Sequence, residues 1–387
     1  MSNPTWNGGS DNWTTAADWS TGQEPGAGDN VTINQGNPQI TSNVGTVASV
    51  ADTSALSVVD GSLATTGAFS NSGLLNVDQG GQGGSTVTIG GTLTNSGTTN
   101  IGSGNLQNAT AVTVGGFNNT GGTLNLTGAA AQATLDVTSG TAGFGTAGEV
   151  VGNVNLQGAA LIEFASGQIN DVVGNLALVG SQSRIADASN LASNSALAGL
   201  TTIEGTLYIQ GDALTTTGAL TNSGSLDIDN SYDYGDGHYG GSAVTIGGTL
   251  TNSGTTNIGS GNLQNATTVT VGGINNTGGN LNVSGSANVQ TTLDVTGGTA
   301  GFGTPGELVG NVFVYGDALV EFASGQITDV VGSLVLDGAG ARIADAGSLA
   351  GNSALAGLTT IGGTLDIRDE AMATTGALTN SGTLNID

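Results

Sequence analysis

Apolar residues in this chain recur in short triplets, in which two apolar side chains flank one residue that is usually polar. Triplets of this form lie at Val87–Ile89, Val112–Val114, Leu124–Leu126, Leu135–Val137, Val154–Leu156, Ile162–Phe164, Leu176–Leu178 and Leu207–Ile209. A period of two is the spacing of a β-strand with one buried face. Glycine, Asn-Ser-Gly, Asn-Thr-Gly or Asp-Gly flanks the triplets, and these residues turn the chain. The pattern predicts many short strands separated by tight turns.

Helical spacing is absent over nearly all of the chain because glycine interrupts the candidate windows. Ser189–Leu200 and its copy Ser348–Leu358 are rich in alanine and leucine. Two interpretations remain open for them: a single helical turn at a corner, or small residues packed inside a turn. The second is the one that we favour.

The chain also repeats itself over long distances. The 23 residues Val87–Ala109 recur unchanged at Val244–Ala266, and EFASGQI at Glu163–Ile169 returns at Glu321–Ile327. A unit of about 158 residues is therefore duplicated. We divide the chain into residues 1–60 (a Trp-rich cap and first coils), 61–218 (first copy), 219–376 (second copy) and 377–387 (the start of a third, truncated unit).

Duplication decides between two all-β arrangements. A sandwich needs Greek-key connections, whereas a long repeat of similar short strands stacks naturally into coils that each contact only their neighbours. The sequence predicts an elongated parallel β-solenoid, with Leu, Val and Ile of the triplets in its interior. An open last coil would expose unpaired backbone groups, so we also expect end-to-end self-association.

Aromatic residues concentrate near the start of the chain. All three tryptophans, Trp6, Trp13 and Trp19, lie within the first 33 residues. The favoured interpretation is that these rings seal the open end of the core, and the alternative is a platform that stacks on sugars.

With this opening segment and its SGTLNI-type repeats, the chain resembles bacterial exoproteins built from β-strand repeats, including autotransporter-like and filamentous adhesins. The resemblance implies a right-handed β-helix, an adhesive or matrix role, and a location outside the cell or on its surface.

Charge excludes one class of partner. The chain has 29 acidic residues against Arg184, Arg342 and Arg368, and its net charge is −26. Such a charge repels nucleic acid, so no nucleic-acid partner is expected. No stretch approaches the roughly 20 consecutive apolar residues of a membrane span.

Candidate catalytic residues are few. His238 is the single histidine, and no cysteine is present. The acidic pair Glu163 and Asp171 recurs as Glu321 and Asp329, and a duplicated pair fits a structural role better than one catalytic centre. We therefore predict no enzyme, and a polysaccharide-active β-helix enzyme is the most distant alternative.

The arginines of the repeated RIADA segment are the candidates for the cationic catalytic groups of a polysaccharide lyase. Arg184 and Arg342 occupy equivalent positions in that segment. We expect each to bond a neighbouring aspartate, such as Asp187 or Asp345, rather than to act in catalysis.

One loop distinguishes the second copy from the first. Asp227–Gly241, DIDNSYDYGDGHYGG, is longer than the corresponding segment of the first copy and contains Asp229, Asp233 and Asp236. Carboxylates a few flexible residues apart are ligands that suit Ca²⁺. The sequence gives three alternatives: a calcium site at these aspartates, a solvated loop, or a tyrosine-rich contact surface.

Architecture and resemblance together give the expected function. We expect a non-enzymatic repeat segment of a bacterial surface adhesin, acting as rigid stalk and adhesive surface toward glycans or other cell-surface components. The rival is a self-assembling structural filament or a surface-layer component, since repeating coils suit both.

Overall fold

The computed structural model describes residues 2–230 and 240–387, and these residues form two compact units, Met1–Leu197 and Ala198–Asp387. Each unit is a stack of coils whose short strands pair in parallel with the strands of the next coil. The prediction of an all-β parallel solenoid is confirmed.

The first unit contains nineteen strands in its described residues. They are β1 Asn30–Ile33, β2 Gln39–Ile40, β3 Asn43–Val47, β4 Ser49–Asp52, β5 Ala55–Val58, β6 Ser62–Thr65, β7 Phe69–Asn71, β8 Leu74–Val77, β9 Thr86–Asn95, β10 Thr98–Gly102, β11 Thr110–Asn118, β12 Thr123–Thr127, β13 Ala133–Val137, β14 Glu149–Val150, β15 Asn153–Gln157, β16 Ala160–Phe164, β17 Asp171–Val172, β18 Asn175–Val179 and β19 Arg184–Asp187.

Twenty strands belong to the described part of the second unit. They are β20 Thr202–Ile203, β21 Thr206–Gln210, β22 Ala213–Thr216, β23 Leu220–Asn222, β24 Ser225–Ile228, β25 Ala243–Asn252, β26 Thr255–Ile258, β27 Thr267–Asn275, β28 Asn280–Ser284, β29 Thr291–Val295, β30 Glu307–Leu308, β31 Asn311–Tyr315, β32 Ala318–Phe322, β33 Asp329–Val330, β34 Ser333–Asp337, β35 Arg342–Asp345, β36 Thr360–Ile361, β37 Thr364–Arg368, β38 Thr379–Asn380 and β39 Thr383–Ile386.

Two main sheets run along the stack in each unit. In the first unit, one sheet has the order β1-β4-β7-β9-β11-β13-β16-β19 and the other β2-β5-β8-β10-β12-β15-β18. In the second unit, the corresponding orders are β20-β23-β25-β27-β29-β32-β35 and β21-β24-β26-β28-β31-β34-β37-β39. We call the sheet that contains β10 in the first unit, or β26 in the second, the amide sheet.

The core is made by the apolar triplets. Every triplet named from the sequence lies in a strand, and its two apolar ends are buried. In β12, for instance, Leu124 and Leu126 are buried while Asn125 between them points outward. The period-two reading is therefore confirmed at the level of individual side chains.

Asparagines line the interior at one turn of three successive coils in each unit. Asn71, Asn95 and Asn119 are fully buried and form what we call the inner amide row. Asn71 Nδ2 donates to Asn95 Oδ1 at 2.8 Å, and Asn95 Nδ2 donates to Asn119 Oδ1 at 2.7 Å. The second unit repeats the row with Asn222, Asn252 and Asn276. A buried amide is tolerated because its neighbours satisfy its hydrogen bonds.

The Ala- and Leu-rich corners each form one helical turn. The 3₁₀ turns are Ser195–Leu197 and Ser353–Leu355, and a third lies at Ala16–Asp18. Asn194 fixes the first of these corners by accepting a hydrogen bond from Ile185 N at 2.9 Å. The helical-turn interpretation that the sequence ranked second is thus correct. In residues 2–230 and 240–387, no helix has the length and hydrophobicity that would let it span a membrane.

The tryptophan segment lies on the first coil. Trp6 N donates to Thr32 O at 2.9 Å, and Trp13 N donates to Gln39 O at 2.8 Å. The rings of Trp6 and Trp13 each pack edge to face on Trp19, with centroids 4.9 and 4.7 Å away. All three rings are buried, so none is free to stack on a sugar.

The boundaries drawn from the repeats, 1–60, 61–218, 219–376 and 377–387, remain a prediction. The two copies nevertheless fold alike where their sequences are identical. β9 and β25 have the same length, and their buried and exposed positions alternate in the same way. The repeats can therefore be compared residue by residue.

Candidate ligand-binding face

The outward side of the amide sheet in the first unit has an almost uniform surface. Asn76, Asn100, Asn125 and Asn155 stand side by side on successive strands and form what we call the outer amide row. Each Nδ2 donates to the Oδ1 of the preceding asparagine at 2.8 Å. These bonds order the side chains into a flat polar surface, and they use one of the two N–H groups of each donating amide.

In the second unit the same row is interrupted. Asn282 Nδ2 donates to Asn257 Oδ1 at 2.7 Å, but the residue opposite Asn282 on the next strand is Phe313. Around it lies a group of outward residues on β31, β34 and β37 that we call the aromatic patch. Its members are Phe313, Tyr315, Val335, Asp337, Asp366 and Arg368.

Strand register places the patch in two rows. Phe313 lies opposite Val335, which lies opposite Asp366. In the second row, Tyr315 lies opposite Asp337, and Asp337 lies opposite Arg368. Two aromatic rings therefore adjoin an ionic edge on neighbouring strands.

The rings of the patch differ in arrangement from the aromatic pairs of the interior. Phe313 and Tyr315 are partly exposed, their centroids are 6.2 Å apart, and their planes lie within 6° of parallel. Interior pairs such as Phe302 and Phe322 meet edge to face at 89°. Parallel planes at this spacing follow from residues i and i+2 of one strand pointing to the same side.

The ionic edge is preorganised by Arg368. Its Nε donates to Asp366 Oδ1 at 3.2 Å, and its Nη2 donates to Asp366 Oδ2 at 2.6 Å. Its Nη1 lies 3.4 Å from Asp337 Oδ2. A forked guanidinium pair of this kind fixes both partners in one geometry. Half of the Arg368 side chain remains exposed to solvent.

Two groups of the patch, Tyr315 and Arg368, have raised pKa values. Burial, followed by the nearby Asp337 carboxylate, raises the pKa of Tyr315, so its hydroxyl stays neutral. The hydrogen bond to Asp366 raises the pKa of Arg368 further above its already high value. The patch thus offers aromatic carbon, a hydroxyl, two carboxylates and one guanidinium.

Asp229, predicted from the sequence as a calcium ligand, is buried in the structure. Its carboxylate accepts hydrogen bonds from Ser242 N at 2.9 Å, Ser242 Oγ at 2.8 Å and Thr267 Oγ1 at 2.6 Å. Asp78 has the same set of partners in the first copy, from Ser85 and Thr110.

Asp233 and Asp236 lie outside the described residues. Within the described ranges, no group of three or more acidic or histidine side chains comes together in a way that would hold a metal. The calcium site at Asp229, Asp233 and Asp236 stays a prediction.

The acidic residues paired in the sequence, Glu163 and Asp171, do not lie beside each other in the structure. Glu163 lies opposite Asp136, whereas Asp171 lies opposite Glu149 in another sheet. Burial, and then the Asp136 charge, raises the pKa of Glu163. The second unit repeats this pairing with Glu321 opposite Asp294.

The arginines of the RIADA segments do not pair with the expected aspartates. Arg184 donates to the carbonyl oxygens of Ala192 and Ser181. Arg342 donates to Leu349 O and lies 3.6 Å from Asp317, not beside Asp345. The expected partners Asp187 and Asp345 are therefore wrong: Arg184 bonds backbone carbonyl groups on either side of β19, and the aspartate beside Arg342 is Asp317.

Sequence reasoning missed the aromatic patch, although a signal was present. Phe313 and Tyr315 correspond to Asn155 and Gln157 in the first copy, 158 positions earlier in the numbering. A comparison of the outward residues of the two copies would have singled out these substitutions.

Comparison with models of protein families, with curated proteins and with solved structures gave no significant match. The function must therefore be argued from the geometry of the chain itself.

Proposed function

We propose that this chain is a non-enzymatic repeat segment of a bacterial extracellular or cell-surface protein, serving as a rigid stalk that presents an adhesive face. The observation that carries the proposal is the outward side of the amide sheet. In the first unit this side carries a row of four bonded asparagines, and in the second unit the aromatic patch follows Asn257 and Asn282 of the corresponding row.

The mechanical part of the proposal is supported by the hydrogen bonding of the coils. Strands inside each sheet are bound through their backbones to the coil before and the coil after, and the amide rows add side-chain bonds in the same direction. Local bonds of this kind resist unfolding at every level of the stack and protect the backbone from proteases.

The non-enzymatic part is supported by duplication. The carboxylate pair of Asp136 and Glu163 recurs at the same positions of the second unit as Asp294 and Glu321. A pair that occurs in both units fits a shared surface property better than one catalytic centre. Arg184 donates to backbone carbonyls, which argues against its use as a base.

The surface location is supported by composition. With a net charge of −26 and many Thr, Ser and Asn residues, the chain suits a strongly solvated environment, as expected of an exposed surface protein. The resemblance to filamentous adhesins points the same way.

The proposal is tested on intact bacteria that express the full parent protein. We expect an antibody against this segment to label the cell surface, and an in-frame deletion of the segment to reduce attachment to glycan-coated surfaces while export continues. An intracellular location would overturn the proposal. Surface labelling with unchanged attachment, combined with loss of filaments, would replace adhesion by self-assembly.

A further inference from the structure

The aromatic patch distinguishes the second unit from the first. In the first unit, Asn155 occupies the position of Phe313 and donates to Asn125 Oδ1 at 2.8 Å, which completes the outer amide row. Replacement of this asparagine by a partly exposed phenylalanine removes that bond in the second unit. The change places a partly exposed aromatic ring on the outward side of the sheet, next to Tyr315.

The chemistry of the patch is that of a site for sugars. The apolar C–H faces of a pyranose ring stack on aromatic faces, and Phe313 and Tyr315 present two ring faces in parallel planes. The carboxylate of Asp337, about one-third exposed, can accept hydrogen bonds from sugar hydroxyls, and half-exposed Arg368 can donate to them. Fixed polar groups beside aromatic carbon give orientation and specificity to such sites.

Charge selects between classes of sugar. Two carboxylates and one guanidinium leave the patch with one net negative charge, and the whole chain carries −26. Acidic polysaccharides are therefore repelled, whereas uncharged sugars are not. A second copy of this chain, which also carries a net charge of −26, is repelled in the same way and is disfavoured as the ligand of the patch.

We propose that the aromatic patch is a binding site for neutral polysaccharide. This inference names the ligand class of the adhesive face and so rests on the proposed function. Phe313 and Tyr315 stack on successive sugar rings, and Asp337 and Arg368 bind their hydroxyl groups. Asp366 holds the guanidinium in place.

The test uses the purified full chain in affinity electrophoresis, with gels that contain a β-1,3-glucan, an α-mannan, a galactan or polygalacturonate. We expect retardation by at least one of the neutral polysaccharides and none by polygalacturonate. The variant F313N/Y315Q places the residues of the first copy at these two positions, so it should fold normally. Its affinity should be lower by a factor of about ten or more. R368Q should weaken binding as well, because it releases Asp366.

A matched control is V331N, since Val331 is a large apolar side chain, 56% exposed, that lies outside the patch. It should bind as the unchanged chain does. Failure of all three neutral polysaccharides to retard the chain would overturn the proposal, as would equal retardation of F313N/Y315Q. Concentration-dependent self-association that F313N/Y315Q abolishes would assign the patch to a second copy instead.

The outcome separates this inference from the proposed function. If cells lose attachment on deletion of the segment but the purified chain binds no neutral polysaccharide, the adhesive role stands and the ligand class is wrong. If the purified chain binds but the protein proves intracellular, the site stands and the surface role is wrong.

Discussion

Asp52 lies beside Asn71 in the parallel register of β4 and β7, at the start of the inner amide row. Ser54 N donates to Asp52 Oδ1 at 3.0 Å, just as Gly73 N donates to Asn71 Oδ1 at 3.2 Å. The other oxygen of Asp52 therefore takes the place that the Nδ2 donor holds in Asn71. This Oδ2 atom is buried and has no hydrogen-bond partner among the described residues.

This position favours the protonated acid. Burial raises the pKa of Asp52 from 3.8 to about 6. The folded chain therefore binds a proton that the unfolded chain releases between these two values, so stability falls as the pH rises through that range. The stabilisation present below about pH 4 is lost above about pH 6, and its size is up to about 3 kcal/mol.

D52N should remove this dependence, because asparagine supplies a donor without titrating. We expect its free energy of unfolding, relative to the unchanged chain, to increase by about 3 kcal/mol between pH 4 and pH 7.5. Denaturant unfolding of both proteins at several pH values measures this difference. D11N, which changes an exposed aspartate, should show no such trend, and a flat difference for D52N would contradict the prediction.

Asp229 closes a turn by accepting hydrogen bonds from Ser242 and Thr267, as Asp78 does from Ser85 and Thr110. In D229N, an amide N–H₂ group, itself a donor, replaces one of the carboxylate oxygens that accept these bonds, so at least one donor loses its acceptor. We expect D229N and D78N each to lower the free energy of unfolding by about 2 to 3 kcal/mol, the range of bonds to a charged acceptor. Chemical denaturation at pH 7 measures the loss.

D60N is the control for that pair. Asp60 is exposed and has a φ of 53°, a conformation that asparagine also adopts. Its substitution should change stability by less than about 0.5 kcal/mol. Equal effects for D60N and D229N would show that the buried bonds contribute little.

Calcium binding at the inserted loop remains open to direct measurement. We expect calorimetric titration of the full chain to detect Ca²⁺ binding that D233N/D236N abolishes, since carboxylate oxygens are the ligands that this ion prefers. D136N removes a carboxylate elsewhere on the surface and should leave the binding intact. No heat of binding at millimolar Ca²⁺ would refute the predicted site.

The two amide rows should differ in their contribution to stability. Asn95 is fully buried and bonds to Asn71, Asn119 and Thr123 O, so N95A leaves buried polar groups without partners. We expect a loss of about 2 to 4 kcal/mol. Asn100 in the outer row is partly exposed, and water can replace its bonds.

N100A should accordingly cost less than about 1 kcal/mol. Thermal and denaturant unfolding of both variants give the comparison. Similar losses for N95A and N100A would mean that burial does not set the strength of these rows.

The sequence by itself determined the strands, the turns and the stacking. Alternation of apolar and polar residues, as in Leu124, Asn125 and Leu126, acts within a single strand, and its direction is fixed by the backbone. Repetition then predicted the parallel solenoid, because identical units bury their faces by stacking.

The tertiary structure alone decided which side chains of different coils meet. Corresponding positions of adjacent coils lie 19 residues apart at Asn30 and Ser49 but 31 apart at Asn280 and Asn311, since loops of different length separate the strands. No period in the sequence specifies these spacings. Register therefore placed Glu163 beside Asp136 rather than Asp171.

The same reason accounts for the candidate site. Phe313, Asp337 and Arg368 come from three strands, and only the register of β31, β34 and β37 brings them together. Asp229 shows the converse, because a residue that the sequence placed in a polar loop is buried by Ser242, just before β25, and by Thr267 in β27. The alternation of residues within each strand determined the strands, and the pairing of strands from different coils determined which outward side chains lie side by side.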